Sequence, residues 1–386
     1  MPSYFPVPSS LCWIICLAVG LLSCHSPEEQ PPVTLSPSPS GPQTASVQSL
    51  EDEPLQVSEV LPDFLPARQA WPLVYVLKTR SVPYWQRMER SALEWGKALG
   101  IQLTVLGADQ PQTTEFVEDQ ILLIDQQLTE GSLKGLILGP ADSVQLVPIV
   151  EKAVAQGIPV ITVDTPLNTD APISFVGFDN RGACQAIGTW VVEQLGEVGQ
   201  VLILEGSQHH DNALERSQGF LAGLQTGQEI IVLDSQPADW DYDTARKMTE
   251  TWLDQYPQVD AIVAANDDMA LGAIAALKAA NRKKVLVTGF DGSQAGLEAI
   301  AAGDLSATID QSPEAQVQLA LKLMITYLEA PQPLPSEVLI KSTQVISRTT
   351  LLSPPHARAF PIFSFPYTST HPSGAGVKPH WSSRTK

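Results

Sequence analysis

The chain has 386 residues, 44% hydrophobic and 17% charged, enough apolar side chain for two or three packed domains. Lys plus Arg number 23 against 42 Asp plus Glu, a formal net charge of −19, which excludes a nucleic-acid binder resting on a general basic surface. The 4 cysteines include no CxxC pair and the 6 histidines are few, which excludes a disulfide scaffold, a zinc cluster and a His-rich catalytic metal site.

Residues 11–22 form an apolar run too short to span a bilayer as a helix but suited to a signal-peptide core. It ends in Leu21-Leu22-Ser23-Cys24, which resembles a bacterial lipobox and makes Cys24 the expected lipidation site, with 1–24 as the signal. Two features depart from that pattern: no Lys or Arg precedes the run, and Leu22 stands where a smaller residue is usual. Residues 25–70 hold nine prolines and no sustained apolar period, the composition of a disordered tether. The folded core is expected over 71–352, which carries 18 basic and 35 acidic residues. Residues 353–386, with six prolines, four basic residues and no acidic one, read as a disordered tail.

Within 71–352, short apolar runs alternate with segments of helical period. Strands are predicted at 73–77, 101–106, 133–138, 159–164, 174–177, 200–205, 230–234, 261–265, 285–289 and 306–310. They are rich in Val, Ile and Leu without alternation, as parallel strands buried on both faces require. In 83–99, Trp85, Met88, Ala92, Trp95 and Leu99 share one face behind Pro83. In 313–329, Val317, Ala320, Leu321, Met324 and Leu328 do the same behind Pro313. This alternation predicts an α/β fold, and its ten strands divide into two doubly wound parallel-sheet lobes with a boundary near Phe178-Asp179-Asn180. Ligands of open α/β sheets bind beyond the carboxyl ends of the strands, so two facing lobes would share one cleft.

Phosphate loops of the Walker and GxGxxG kinds are absent, as are a GxSxG elbow and HExxH, so no nucleotide cofactor or metal is expected. His209-His210-Asp211 is a poor chelate, because adjacent side chains on extended backbone diverge. Cys184, in a predicted helix at 181–195, reads as a small buried hydrophobe. What stands out is a set of polar residues just after strands: Asp164, Asn266, Asp291 and Gln311, with Arg216 in a helix opened by Asp211-Asn212. The aromatics Tyr84 and Trp85 follow the first strand, and Trp240 follows the strand ending at Asp234. Such side chains grip vicinal hydroxyls, and indole faces cover sugar C–H surfaces. An Asp or Asn after a strand also serves as a helix N-cap, so both readings stay open for each residue taken alone.

The order of motifs resembles the periplasmic sugar-binding proteins of ABC importers, of the type I, ribose-binding-protein-like group. The matching segments are Pro83-Tyr84-Trp85, 159–164, Glu215-Arg216 through Phe220, 235–241, 266–273, 289–292 and 307–311, in family order across 71–352. The resemblance implies an N-terminal lobe of 71–178 plus 312–340, a C-terminal lobe of 179–311 plus 341–352, and a hinge of three crossovers near 178–179, 311–312 and 340. It implies that Tyr84, Trp85 and Trp240 cover the faces of a sugar while Asp164, Arg216, Asn266, Asp291 and Gln311 hold its hydroxyls. Three positions depart: Thr165 replaces an arginine, Val82 an asparagine and Lys78 a small polar residue, which puts ribose itself in question and adds Lys78 and Thr165 as possible ligand contacts.

The function expected is a non-enzymatic receptor that captures a monosaccharide or polyol and delivers it to an ABC permease. It would be exported to the periplasm or cell surface and anchored to the membrane through lipid. A sensor for a membrane kinase or chemoreceptor using the same cleft is the alternative. A repressor would need a basic helix-turn-helix before the core, where this chain has an apolar run and an acidic, proline-rich segment. A glycosidase using Asp164 and Asp291 would need its carboxylates about 5–5.5 Å apart, and hydroxyl binding explains the same residues.

Overall fold

The computed structural model describes residues 66–108 and 116–351. Cys24, the apolar run 11–22, the expected tether as far as 65 and the expected tail 353–386 lie outside the described residues. In chain order come β1 (Pro72–Val76), α1 (Pro83–Leu99), β2 (Gln102–Leu106), α2 (Phe116–Glu130), β3 (Gly135–Leu138), α3 (Val147–Ala155), β4 (Val160–Val163) and β5 (Ser174–Phe178). Next come α4 (Asn180–Leu195), β6 (Val198–Glu205), α5 (Asp211–Leu224), β7 (Glu229–Pro237), α6 (Tyr242–Gln255), β8 (Ala261–Ala264), α7 (Asp267–Ala279), β9 (Leu286–Thr288), α8 (Gln294–Ala302) and β10 (Ala307–Thr308). Last are α9 (Pro313–Glu329), β11 (Glu337–Ile340), β12 (Ile346–Ser347) and the one-turn α10 (Arg348–Leu351).

Two six-stranded sheets result, ordered β11-β5-β4-β3-β1-β2 and β12-β10-β9-β8-β6-β7. Strand pairs in the first sheet are parallel, and in the second only β10–β12 is antiparallel. The inner strands β3, β4 and β8 are buried at every residue, as their unbroken Val, Ile and Leu content requires. The outermost strands β2 and β7 differ from that expectation: each is partly exposed along its length, because an edge has a neighbour on one side only.

Two strands escape the sequence pattern altogether. β11 and β12 stand outside the strand–helix alternation, after the last long helix, and each only completes a sheet begun elsewhere. Residues 66–70 also differ from the reading that placed them in a tether. Ala67 packs on the first core and donates its N–H to the Leu99 carbonyl, and Arg68 N–H donates to Glu329.

Helix α9 returns to the first sheet, where Val317, Ala320, Leu321 and Met324 join Leu73, Tyr75 and Ile161 in one core. The second core runs through Ile187, Phe220, Ile262, Met269 and Ile300. The chain therefore passes between the two lobes three times: after β5, between β10 and α9, and between β11 and β12. Among the described residues no helix is long and apolar enough to cross a membrane.

Candidate functional site

The carboxyl ends of both sheets meet around one cavity of about 460 Å³, inside the ~300–1,000 Å³ range of small-molecule sites. Its wall includes Tyr84, Trp85, Asp164, Arg216, Trp240, Asn266, Asp291 and Gln311, the full set of expected ligand contacts, together with Lys78. Thr165 stands just behind that wall. It is buried, donates to Asp164 Oδ2 at 2.8 Å and accepts from Lys78 Nζ at 3.2 Å.

On the first lobe, Asp164 follows β4 at φ 69°, a left-handed backbone that turns its carboxylate away from the strand. Tyr84 hydroxyl donates to its Oδ1 at 2.9 Å. Burial and then the Asp164 charge push the Tyr84 phenol well above its ordinary range, so it remains a donor. Lys78 Nζ lies 3.9 Å from Asp164 Oδ2 and 5.3 Å from the centre of the Trp85 ring. Burial pulls its ammonium down to about 8, against the attraction of Asp164. Trp85 meets Tyr84 edge-on and lies over Gly139, the residue after β3; a Cβ there would stand 2.6 Å from the indole.

The second lobe repeats the design. Arg216 donates from all three nitrogens: Nε to Asn180 Oδ1 at 2.8 Å, Nη1 to Ala265 O at 2.7 Å and Asp291 Oδ1 at 3.3 Å, and Nη2 to Gln311 Oε1 at 3.3 Å. Its guanidinium lies 4.0 Å from the Phe290 ring centre and 5.2 Å from that of Trp240. Gln311 Nε2 donates to Asp291 Oδ1 at 2.6 Å. Burial pushes the Asp291 carboxyl well up while Arg216 pulls it back. Trp240 lies against Gly206, the residue after β6, where a Cβ would stand 2.1 Å from the indole.

Each lobe thus offers a cation near an indole, an aspartate beside that cation, and a glycine that makes room for the ring. Asn266 does cap a helix, one of the two readings its sequence position allowed. Its Oδ1 accepts from Met269 N–H at 2.9 Å as the N-cap of α7, while its Nδ2 points to Trp240 O at 3.4 Å.

Several wall residues were missed from sequence: Thr79, Asp142, Gln145, Ser207, His209, His210, Asn212 and Asp239. Most obey the same rule that found the others, since they follow β1, β3, β6 and β7. In the segment 207–212, His209-His210-Asp211 reads from sequence as a poor chelate and Asp211-Asn212 as a helix start. Its imidazoles do diverge, with His209 exposed and His210 buried, and no metal-binding cluster occurs among the described residues. Asn212 Nδ2 reaches Asp164 Oδ2 and Thr165 Oγ1, both at 3.4 Å. Burial alone would raise the Asp142 carboxyl, but donation from the Gln145 amide and side chain and from the Val144 amide holds it below its usual range.

The protein-family description "Periplasmic binding protein domain" matches residues 73–332. The ribose import binding protein of Haemophilus influenzae is 34% identical over 244 residues, covering 63% of this chain and 80% of that protein. A solved ABC transporter periplasmic solute binding protein from Actinobacillus succinogenes, with bound D-allose, superposes with TM-score 0.67 at 30% identity over 72% of this chain and 98% of that one. The Caulobacter myo-inositol binding protein bound to myo-inositol gives TM-score 0.67 at 28% identity over 75% and 97%. With two mostly parallel sheets meeting at one shared cleft and a family match that spans nearly all of both, the chain belongs to the periplasmic binding protein family.

Proposed function

We propose that this protein is an exported receptor that captures a monosaccharide or related polyol between its lobes and hands it to an ABC permease. The observation that carries this reading is the convergence of Tyr84, Trp85 and Trp240 with Asp164, Arg216, Asn266, Asp291 and Gln311 on one cavity. Indole faces suit sugar C–H surfaces, and paired donors and acceptors suit vicinal hydroxyls. Charge-assisted hydrogen bonds contribute roughly 1.5–3 kcal/mol each, so a few of them suffice for micromolar capture at about −8 kcal/mol. The relatives' ribose, D-allose and myo-inositol support the ligand class. Lys78 brings a cation to the wall beside Thr165, the position where the resemblance implies an arginine, and in this reading its ammonium meets one ligand oxygen. The three crossings between lobes serve as the hinge, and differential affinity for the closed form drives closure. Cys24 carries the lipid that keeps the receptor at the membrane. The ligand leaves chemically unchanged in this reading, in which Asp164 and Asp291 accept from protein donors and from ligand hydroxyls alike.

A thermal-shift screen of the full chain against pentoses, hexoses, inositols, sugar acids and nucleosides tests the reading. A ligand at 100 times its Kd adds about 2.7 kcal/mol to stability, a clear rise in melting temperature. The expected result is a strong hit among neutral sugars or polyols, abolished by Asp164→Ala. A well-folded sample that no sugar or polyol shifts overturns it. Metabolic labelling with a radioactive fatty acid tests the anchor: label lost in Cys24→Ala supports it, and an unlabelled wild-type chain rejects it.

A further inference from the structure

The two lobes touch directly at the cavity mouth, and one side chain is central to that contact. His210 occupies the N-cap position of α5, where Ser, Thr, Asp or Asn would normally accept from the first turn. Its imidazole makes no such cap bond. Instead its ring Nε2 lies 2.7 Å from the carbonyl oxygen of Ala141, on the opposite lobe. The other ring nitrogen, Nδ1, accepts the indole N–H of Trp240 at 2.8 Å, with the two rings stacked at 6.1 Å. An Nδ1 that accepts and an Nε2 that faces a carbonyl admit one arrangement, the neutral ring with its proton on Nε2. Burial favours the same uncharged form and pulls the imidazole down to about 3.

Around this bond the backbone closes as well. Ser143 N–H donates to His209 O at 3.3 Å, Asp211 N–H points to Ser143 Oγ at 3.5 Å, and Asn212 reaches Asp164 and Thr165. All of these run from protein to protein.

We infer that His210 is a positioning residue that latches the lobes together through Ala141 and at the same time fixes the Trp240 ring at the ligand wall, so that the closed form is held partly by the protein itself. One side chain thereby couples the stacking surface of one lobe to the closure of both. This goes beyond the sugar-receptor reading, and its test uses no sugar, so the two fail separately.

The test is amide hydrogen exchange by mass spectrometry on the full-length protein without added ligand. The reporter is the peptide spanning 139–146, because the Ser143 amide finds its acceptor on the other lobe. His210→Gln places an amide donor where Nε2 stood, whereas His210→Asn reaches only the Nδ1 position and His210→Ala neither. Exchange at 139–146 should rise at least 10-fold in the Asn and Ala variants and stay at the wild-type rate in the Gln variant. Peptides from β1 and β8 should be unchanged in all three. Equal exchange at 139–146 in wild type and His210→Asn overturns the latch. So does loss of protection in His210→Gln, or a rise spread evenly through β1 and β8, which marks a merely structural role.

Discussion

Four residues of the cavity wall, Asp164, Asp239, Trp240 and Asp291, sit on backbone with φ of 69°, 54°, 64° and 108°, where L-residues rarely go. Such positions cost about 1–3 kcal/mol each and persist where the surroundings over-determine them. For Asp291 the surroundings are Arg216 and Gln311, with the arginine side chain only 3% exposed. Removing one member of a buried ion pair strands the other, at about 3–5 kcal/mol. Arg216→Met should therefore lower unfolding free energy by that amount in urea titrations, and adding Asp291→Asn should return part of it. Asp267, beneath the same loop, gives a pH signature. Its carboxylate accepts from Ser293 N–H at 2.7 Å and Thr308 Oγ1 at 2.8 Å, and burial pushes it up to about 7. The folded chain then keeps a proton that the unfolded chain releases above about pH 4. Stability should fall as pH rises from 4 to 7, by on the order of 4 kcal/mol from this group. Asp267→Asn should flatten that part of the profile; an unchanged slope in urea unfolding between pH 4.5 and 7.5 would refute the assignment.

Among the elements, the strand ends set the two indoles. Gly139 and Gly206 follow β3 and β6, and a methyl at either would stand 2.6 Å or 2.1 Å from a tryptophan ring atom. Both rings are held, Trp85 within the first core and Trp240 by His210, so Gly139→Ala and Gly206→Ala should force a tryptophan aside, weakening ligand binding about 10-fold or more by calorimetry and costing about 1–3 kcal/mol of stability. The helix pair α4 and α5 presents backbone instead. Gly223 lies where a Cβ would meet the Gln185 carbonyl oxygen at 2.3 Å, and backbone has no rotamer to give. Gly223→Ala should cost about 1–3 kcal/mol of stability as an overpacked contact, measured in the same urea titration. Buried strands were legible from sequence as unbroken apolar runs, and helices such as 83–99 and 313–329 by their apolar period. The short β11 and β12 were not, since they exist only as additions to sheets already formed.

For the molecule as a whole, Arg87 joins the lobes on the side where α9 begins. From α1 it pairs with Glu314 at 2.7 Å, and it reaches the carbonyls of Asp291 and Gly292 at 3.4 Å and Asp310 at 3.5 Å on the second lobe. Arg87→Ala should shift the population toward an open form, seen as a larger radius of gyration by small-angle X-ray scattering and a several-fold weaker ligand affinity. Equal scattering curves for the variant and wild type would show that this arginine holds only Glu314.

The βα alternation, the two-lobe division and the residues standing at strand ends can all be read along the chain. Burial on two faces and the carboxyl-end rule act locally, within ten or twenty residues. Which of those residues meet depends on the folded arrangement. Asn212 with Asp164, His210 with Ala141 and Arg87 with Asp310 lie 48, 69 and 223 residues apart in the chain. Nothing in either neighbourhood signals the other. A contact between lobes depends on how two separately folded sheets are brought together, and that geometry is written in three crossings of the chain rather than in any local pattern.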